Sequence, residues 1–206
     1  MNVIAFNGSP HKDGVINTSL ELIAEELRGA GIDVEIAQIG GESIHGCTGC
    51  GACRGKGICR IDNDCVNDYR KKINSSDGIV LGSPVYYGGI AGTFKSFLDR
   101  LFYPGQNLFW KAGASVASCR RTGTMATFQQ LNNYLTLAGI VITPTVYWNV
   151  IHGNNKTEAA EDAEGVYTMR AVGKNMAWLI KALNAAKQTS TPPELGPKVR
   201  TNFIRI

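Results

Sequence analysis

Short apolar runs alternate with amphipathic segments along this chain, and the alternation limits its fold more than any composition figure does. Met1–Phe6 is apolar and stops at the turn Gly8-Ser9-Pro10, which predicts a buried parallel strand. Thr18–Arg28 then carries Leu20, Ile23, Ala24 and Leu27 at helical spacing, with Asn17 or Thr18 as the cap and Gly29 and Gly31 as terminators. Strands are expected over Asp33–Ile39, Gly78–Gly82, Ala114–Ala117 and Ile140–Val146. Helices are expected over Val66–Ile73, Thr93–Leu101 and Thr127–Ala138, with a last helix in Glu158–Ala186 broken near Gly165 and Gly173. Strands alternating with helices imply an α/β fold: a doubly wound, five-stranded parallel sheet in a three-layer α/β/α arrangement.

In such a sheet, ligands sit beyond the carboxyl ends of the strands. The loops leaving strands one, three and four are therefore the places to look for chemistry. Residues 40–63 have no periodicity, and a loop that long inside a compact domain is usually functional. The chain's 206 residues fit one domain, over 1–187, with a Pro-rich arm over 188–206 containing Pro192, Pro193 and Pro197. Such an arm either packs on a neighbouring subunit or frays.

Lys and Arg are scattered and the net charge is only +4, so neither a nucleic-acid stripe nor a membrane patch is expected. No segment approaches the ~20 apolar residues needed to span a bilayer. The first residues lack the basic stretch of a secretory signal. These features lead to the expectation of a cytoplasmic protein, where six cysteines serve as metal ligands or free thiols more often than as disulfides.

After the first strand, Ser9 supplies a hydroxyl, and Asn17, Thr18 and Ser19 lie where a helix begins. Free N–H groups and the helix dipole favour an anion there. Plain N-capping is the simpler alternative, but it does not account for the length of the Gly8–Gly14 loop. The loop is neither a dinucleotide fingerprint nor a Walker A motif. After strand three, Ser83-Pro84-Val85-Tyr86-Tyr87-Gly88-Gly89 would let backbone N–H groups approach a flat ring that a tyrosine partly covers. A Pro/Gly turn with core tyrosines would read the same way.

Cys47, Cys50, Cys53 and Cys59 form C-x2-C-x2-C-x5-C. Four thiolates this close suit a tetrahedral ion or a [4Fe–4S] cluster in which each thiolate caps one iron. The spacing is near that of bacterial ferredoxins, but the last gap is longer and no proline follows. Structural zinc usually groups its cysteines as two separated pairs. Four reduced thiols in a turn-rich loop are the remaining alternative. Cys65 and Cys119 are expected to be unliganded, and His45 to be a solvated loop residue.

Gly8-Ser9-Pro10, Asn17-Thr18, Ser83-Pro84-Val85-Tyr86-Tyr87-Gly88 and the following Phe94-Lys95-x-Phe97-Leu98-Asp99-Arg100 together resemble the NADPH-dependent FMN reductase family of flavodoxin-like proteins, over about residues 1–150. The compact cysteine motif resembles that of its iron–sulfur flavoprotein branch. The resemblance implies that Ser9, Asn17, Thr18 and Ser19 bind the FMN phosphate. It also implies that Pro84, Val85, Tyr86, Tyr87 and Gly88 line the ring and ribitol, and that Ser118 and Arg120 lie at the pyrimidine edge. The pair Arg120-Arg121 departs from the more Gly-rich stretch of the family, and one arginine there could stabilise negative charge on the flavin. Cys47, Cys50, Cys53 and Cys59 would hold a [4Fe–4S] cluster exchanging electrons with FMN, and ferredoxin or a similar carrier would be the partner. A cluster-free NAD(P)H-dependent FMN or quinone reductase is the alternative enzyme. A zinc-bearing or scaffold protein is the alternative from another class. By analogy with the family, a homodimer or homotetramer is expected.

Overall fold

The apolar N-terminal run is a strand, β1 (Asn2–Asn7), and the computed structural model describes it together with the rest of residues 1–105, 108–197 and 199. It is followed by α1 (Val15–Gly29), β2 (Asp33–Gln38), α2 (Val66–Ser75), β3 (Gly78–Tyr86), β4 (Gly89–Ile90), α3 (Gly92–Phe102) and β5 (Ala112–Cys119). The chain continues through α4 (Thr124–Leu137), β6 (Val141–Ile142), β7 (Val150–His152), α5 (Lys156–Glu161) and α6 (Ala163–Thr189). The sheet order is β2-β1-β3-β5-β6, all parallel. Two short strands are added to it: β4 pairs antiparallel with β3, and β7 pairs parallel with β5.

Side chains of a strand alternate between the two faces of the sheet, and β1 shows how that alternation divides the core. Val3 and Ala5 pack with α1 and α6, through Leu20, Ile23, Leu27, Val172 and Met176. Ile4 and Phe6 point the other way and pack with α2, α3 and α4, through Ile73, Phe97, Leu131 and Leu135. Phe6 meets the ring of Phe97 at 5.2 Å and that of Tyr69 at 5.3 Å, tying β1 to α3 and α2. Those two helices carry the cysteine loop.

The fifth strand differs from its expected span. Of Ile140–Val146, only Val141–Ile142 pairs with β5, opposite Ala112 and Gly113. Val141 and Thr143 donate to the Lys111 and Gly113 carbonyls, and the ladder ends there because the next carbonyl on β5, that of Ser115, accepts from Asn149 Nδ2 at 3.0 Å instead. Pairing resumes at β7, against Ala117–Cys119. The expected helix break falls at Asp162, whose carboxylate caps α6 at the Gly165 N–H (2.9 Å). At Gly173 there is no break: α6 runs straight past it. A Cβ there would stand 2.7 Å from Glu26 Cβ and 2.8 Å from the Ile23 carbonyl, so the glycine allows close approach of α1 rather than ending a helix. Residues 191–197 have neither helix nor strand and are exposed; 198 and 200–206, the rest of the predicted arm, lie outside the described residues. No helix among the described residues is long and apolar enough to cross a membrane.

Candidate flavin pocket and cysteine recess

Three loops at the carboxyl ends of β1, β3 and β5 open onto one cavity of about 620 Å³. Its wall holds Ser9 and the loop through Ile16, then Pro84, Val85 and Tyr86, then Ser118, Cys119 and Arg120. The shape of the first loop is fixed by two polar residues that sequence reasoning did not single out. The buried Asn7 accepts the Ser9 N–H at 3.0 Å and donates to Gln38 Oε1 at 2.7 Å; Gln38 Nε2 donates to the Ser9 carbonyl at 2.6 Å. The visible signal was a pair of amides ending two adjacent strands. Gly8 is required here, because a Cβ would lie 2.3 Å from the Phe94 ring.

Helix α1 begins at Val15, three residues earlier than predicted. Its N-cap is Gly14, with no side-chain hydrogen bond to the cap. Capping by Asn17 or Thr18 is thus not what this sequence does. Asn17 and Thr18 instead stand in the first turn, and the Thr18 hydroxyl donates to the Gly14 carbonyl at 3.2 Å. The first-turn N–H groups have no side-chain cap, and Gly14, Val15 and Ile16 border the cavity. An uncapped helix N-terminus suits a phosphate. Ser9 Oγ accepts the His11 N–H at 3.1 Å and keeps its own hydrogen to donate. Ser19 is different: its buried hydroxyl donates to the Val15 carbonyl at 2.8 Å inside the helix.

The second loop is a tight hairpin. Tyr86 pairs with Gly89, leaving Tyr87 (φ 50°) and Gly88 (φ 72°) as a two-residue turn with both φ positive, the form that matches strand twist. Buried Ser83 secures it by accepting the Ala91 N–H at 3.1 Å and donating to the Pro84 carbonyl at 2.9 Å. Tyr86 faces the cavity, whereas Tyr87 is fully exposed and neither it nor Gly88 lines the wall.

Beside Cys119 and Arg120 the wall is completed by Gly153, Asn154 and Asn155, which the sequence reading overlooked. Asn155 caps α5 at the Thr157 and Glu158 N–H groups (2.9 and 3.1 Å). Glu158 accepts the Asn154 N–H at 2.9 Å, and this bond chiefly holds its carboxyl below the usual range. Burial pushes the Cys119 thiol up, and its sulfur lies 3.7 Å from His152 Nδ1.

The four cysteines of the motif border a separate, small recess of about 20 Å³ with Arg60, Ile61, Arg100, Tyr103 and Pro104. Cys47 and Cys50 are exposed, Cys59 is half-buried and Cys53 buried. Among the described residues no three His, Cys, Asp or Glu side chains gather as a single metal ion requires. A cuboidal cluster asks for something else, since each thiolate binds a different iron. Four cysteines on one recess supply the donor type and number such a cluster uses, while the recess itself has room for about one water.

The loop is held by side chains from both flanking helices. Asn67 accepts the Cys59 N–H at 2.9 Å and donates to the Cys59 and Ile61 carbonyls at 3.0 and 3.3 Å. Arg70 donates to the Gly57 carbonyl through Nε and Nη2 (3.0 and 2.7 Å) and to the Leu101 carbonyl. Arg100 is buried against Asp64, and its Nε donates to Cys59 Sγ at 3.3 Å. Asn67 and Arg70 did not stand out in the sequence, and Arg100 did so only as the end of the Phe94–Arg100 motif, with no role attached.

A doubly wound parallel sheet whose strand-end loops open onto one pocket at its carboxyl edge defines a flavodoxin-like protein. The sequence pattern of the NADPH-dependent FMN reductase family matches residues 1–155, and the chain belongs to that family. It is a flavin-dependent oxidoreductase. An iron–sulfur flavoprotein of Methanocaldococcus jannaschii is 32% identical over 196 residues, covering 89% of this chain and 99% of the relative. One from Methanosarcina thermophila is 29% identical over 186 residues, covering 85% and 93%. Two solved structures agree in fold. RosB with a bound formylated riboflavin-5′-phosphate intermediate gives a TM-score of 0.67 at 14% identity, covering 100% of this chain and 96% of that one. An archaeal flavodoxin gives 0.59 at 14% identity, covering 88% and 99%.

Proposed function

We propose that this protein is an FMN-dependent oxidoreductase of the iron–sulfur flavoprotein type. FMN would lie in the pocket over β1, β3 and β5, and a [4Fe–4S] cluster would be held by Cys47, Cys50, Cys53 and Cys59. The observation that carries the flavin part is the convergence of Ser9–Ile16, Pro84–Tyr86 and Ser118–Arg120 on one cavity.

The uncapped start of α1, with the Ser9 hydroxyl and the first-turn residues Asn17 and Thr18, would take the phosphate. Pro84, Val85 and Tyr86 would set the plane of the ring, with Tyr87 and Gly88 shaping that wall through the hairpin. Ser118 and Arg120 would meet the pyrimidine edge, where a guanidinium favours added negative charge. When bound, FMN supplies an electron carrier that accepts hydride or single electrons. The protein's own part is to orient the ring and tune its charge environment. A redox carrier such as ferredoxin is the partner this reading implies, and a homo-oligomer in the cytoplasm its setting.

The names of the relatives support the cluster, as does the sharing of one recess by all four cysteines. A second reading, a cluster-free NAD(P)H-dependent FMN or quinone reductase, draws on the family's own description. Anaerobic reduction separates the two. Bleaching of the bound flavin by a reduced ferredoxin, with NADPH slow, supports the first; rapid bleaching by NADPH with the carrier inert supports the second.

A further inference from the structure

Arg100 projects from the last turns of α3 into the cysteine loop, and its side chain is wholly buried. A guanidinium has five N–H donors in a fixed fork. Here all five have acceptors. Nε donates to Cys59 Sγ at 3.3 Å. Nη1 donates to the His45 carbonyl at 3.1 Å and to Asp64 Oδ2. Nη2 donates to the Ile61 carbonyl at 2.7 Å and to Asp64 Oδ1 at 3.1 Å. These acceptors span the loop from just before Cys47 to just after Cys59. The loop is thereby fastened to α3 at both ends of the motif.

Asp64 compensates the buried charge and also accepts the Val66 N–H at 3.2 Å, so the same carboxylate anchors the start of α2. Asn67 grips Cys59 through both its N–H and its carbonyl. Cys59 is therefore fixed at backbone and sulfur together. A buried pair of this kind does little for net stability compared with apolar packing, and its better attested use is specifying one arrangement. The arrangement specified here puts a cysteine sulfur at a protein N–H donor on the wall of the recess.

We infer that Arg100 is a positioning residue that sets Cys59 in its ligating place before any metal arrives, and that its Nε–H then raises the potential of the bound cluster. The second half rests on the cluster reading given above. An N–H donated to a ligating sulfur favours the more negative, reduced state, and hydrogen bonds to the sulfurs are among the known determinants of cluster potential. The first half concerns the metal-free chain alone.

Two measurements on the full-length protein test it, using wild type, Arg100→Lys and Arg100→Gln. In chelator-treated protein, amide hydrogen exchange over Gly57–Asp64 is expected to be at least about tenfold faster in Arg100→Gln than in wild type, with protection in β1 and β3 unchanged. Arg100→Lys keeps the charge beside Asp64 and loses the fork, so it guards against a Gln variant that does not fold. It is expected to load iron in the wild-type ratio but to reduce at a more negative potential in an anaerobic redox titration. Exchange in the loop at the wild-type rate in both variants would overturn the positioning role. A Lys variant with an intact cluster at the wild-type potential would overturn the tuning role. Wild-type protein that takes up no iron would remove the cluster reading and the tuning role with it, while the exchange rates still decide whether Arg100 holds the loop.

Discussion

Tyr87 is strained by the two-residue turn it occupies and not by its ring, which is exposed. Its φ of 50° is a conformation that L residues other than Gly, Asn and Asp avoid at a cost of about 1–2 kcal/mol, and its ring is fully exposed. Tyr87→Asn should therefore raise stability by about 1 kcal/mol in the isolated chain, read as a higher urea midpoint with unchanged slope. An unchanged or lower midpoint would mean that the ring already contributes within the free protein. Cys65 gives a prediction in pH. Burial first, then the charges of Glu42 and Asp64, raise its thiol from 9.0 to about 11. In the unfolded chain the proton leaves near pH 9, while the folded chain keeps it. Between those values the native state holds more protons, so stability falls as pH rises through that window. Cys65→Ala should flatten the decline of the urea midpoint between about pH 9 and about pH 11, and an equally steep decline in the variant would place its cause elsewhere. The residues most easily missed in the sequence were of one kind. Asn7, Gln38, Asn67 and Arg100 act through hydrogen bonds to groups on other segments of the chain, and local spacing does not say which group each one meets.

At the level of elements, apolar periodicity located most strands and helices, because one face of each must be buried. It misplaced ends that periodicity does not mark. Helix α1 starts at Val15, with Gly14 as its N-cap, and β6 stops where Asn149 takes the next β5 carbonyl. The uncapped start of α1 yields a prediction with two opposite signs. Asn17 is the third residue of the helix, where a negative charge interacts favourably with the dipole by about 0.3–1 kcal/mol. The same charge would repel a phosphate seated on the helix end. Asn17→Asp should therefore stabilise the FMN-free protein while weakening FMN binding, seen as a higher melting temperature without flavin and a lower flavin content after purification. Retained stoichiometric FMN would remove the phosphate from this helix.

Across the whole molecule, the fold and the meeting of the strand-end loops were legible because they follow from strand order, which short-range signals carry. The pairing of three separate loops into one cavity is a consequence of that order. The cysteine loop was legible only as spacing. What fastens it is contributed by α2 and α3, through Asn67, Arg70 and Arg100. Two sites thus share one scaffold: an open pocket at the carboxyl edge of the sheet, and a cysteine recess beside α3 and the turn at Tyr103-Pro104. That both are filled, one by FMN and one by a [4Fe–4S] cluster, is the central claim. It is tested most directly by measuring iron and acid-labile sulfide against FMN in protein purified without oxygen. Near-equal iron and sulfide, about four of each per flavin, are expected; flavin with no iron, even after anaerobic reconstitution, would mean that the cysteine recess holds no cluster.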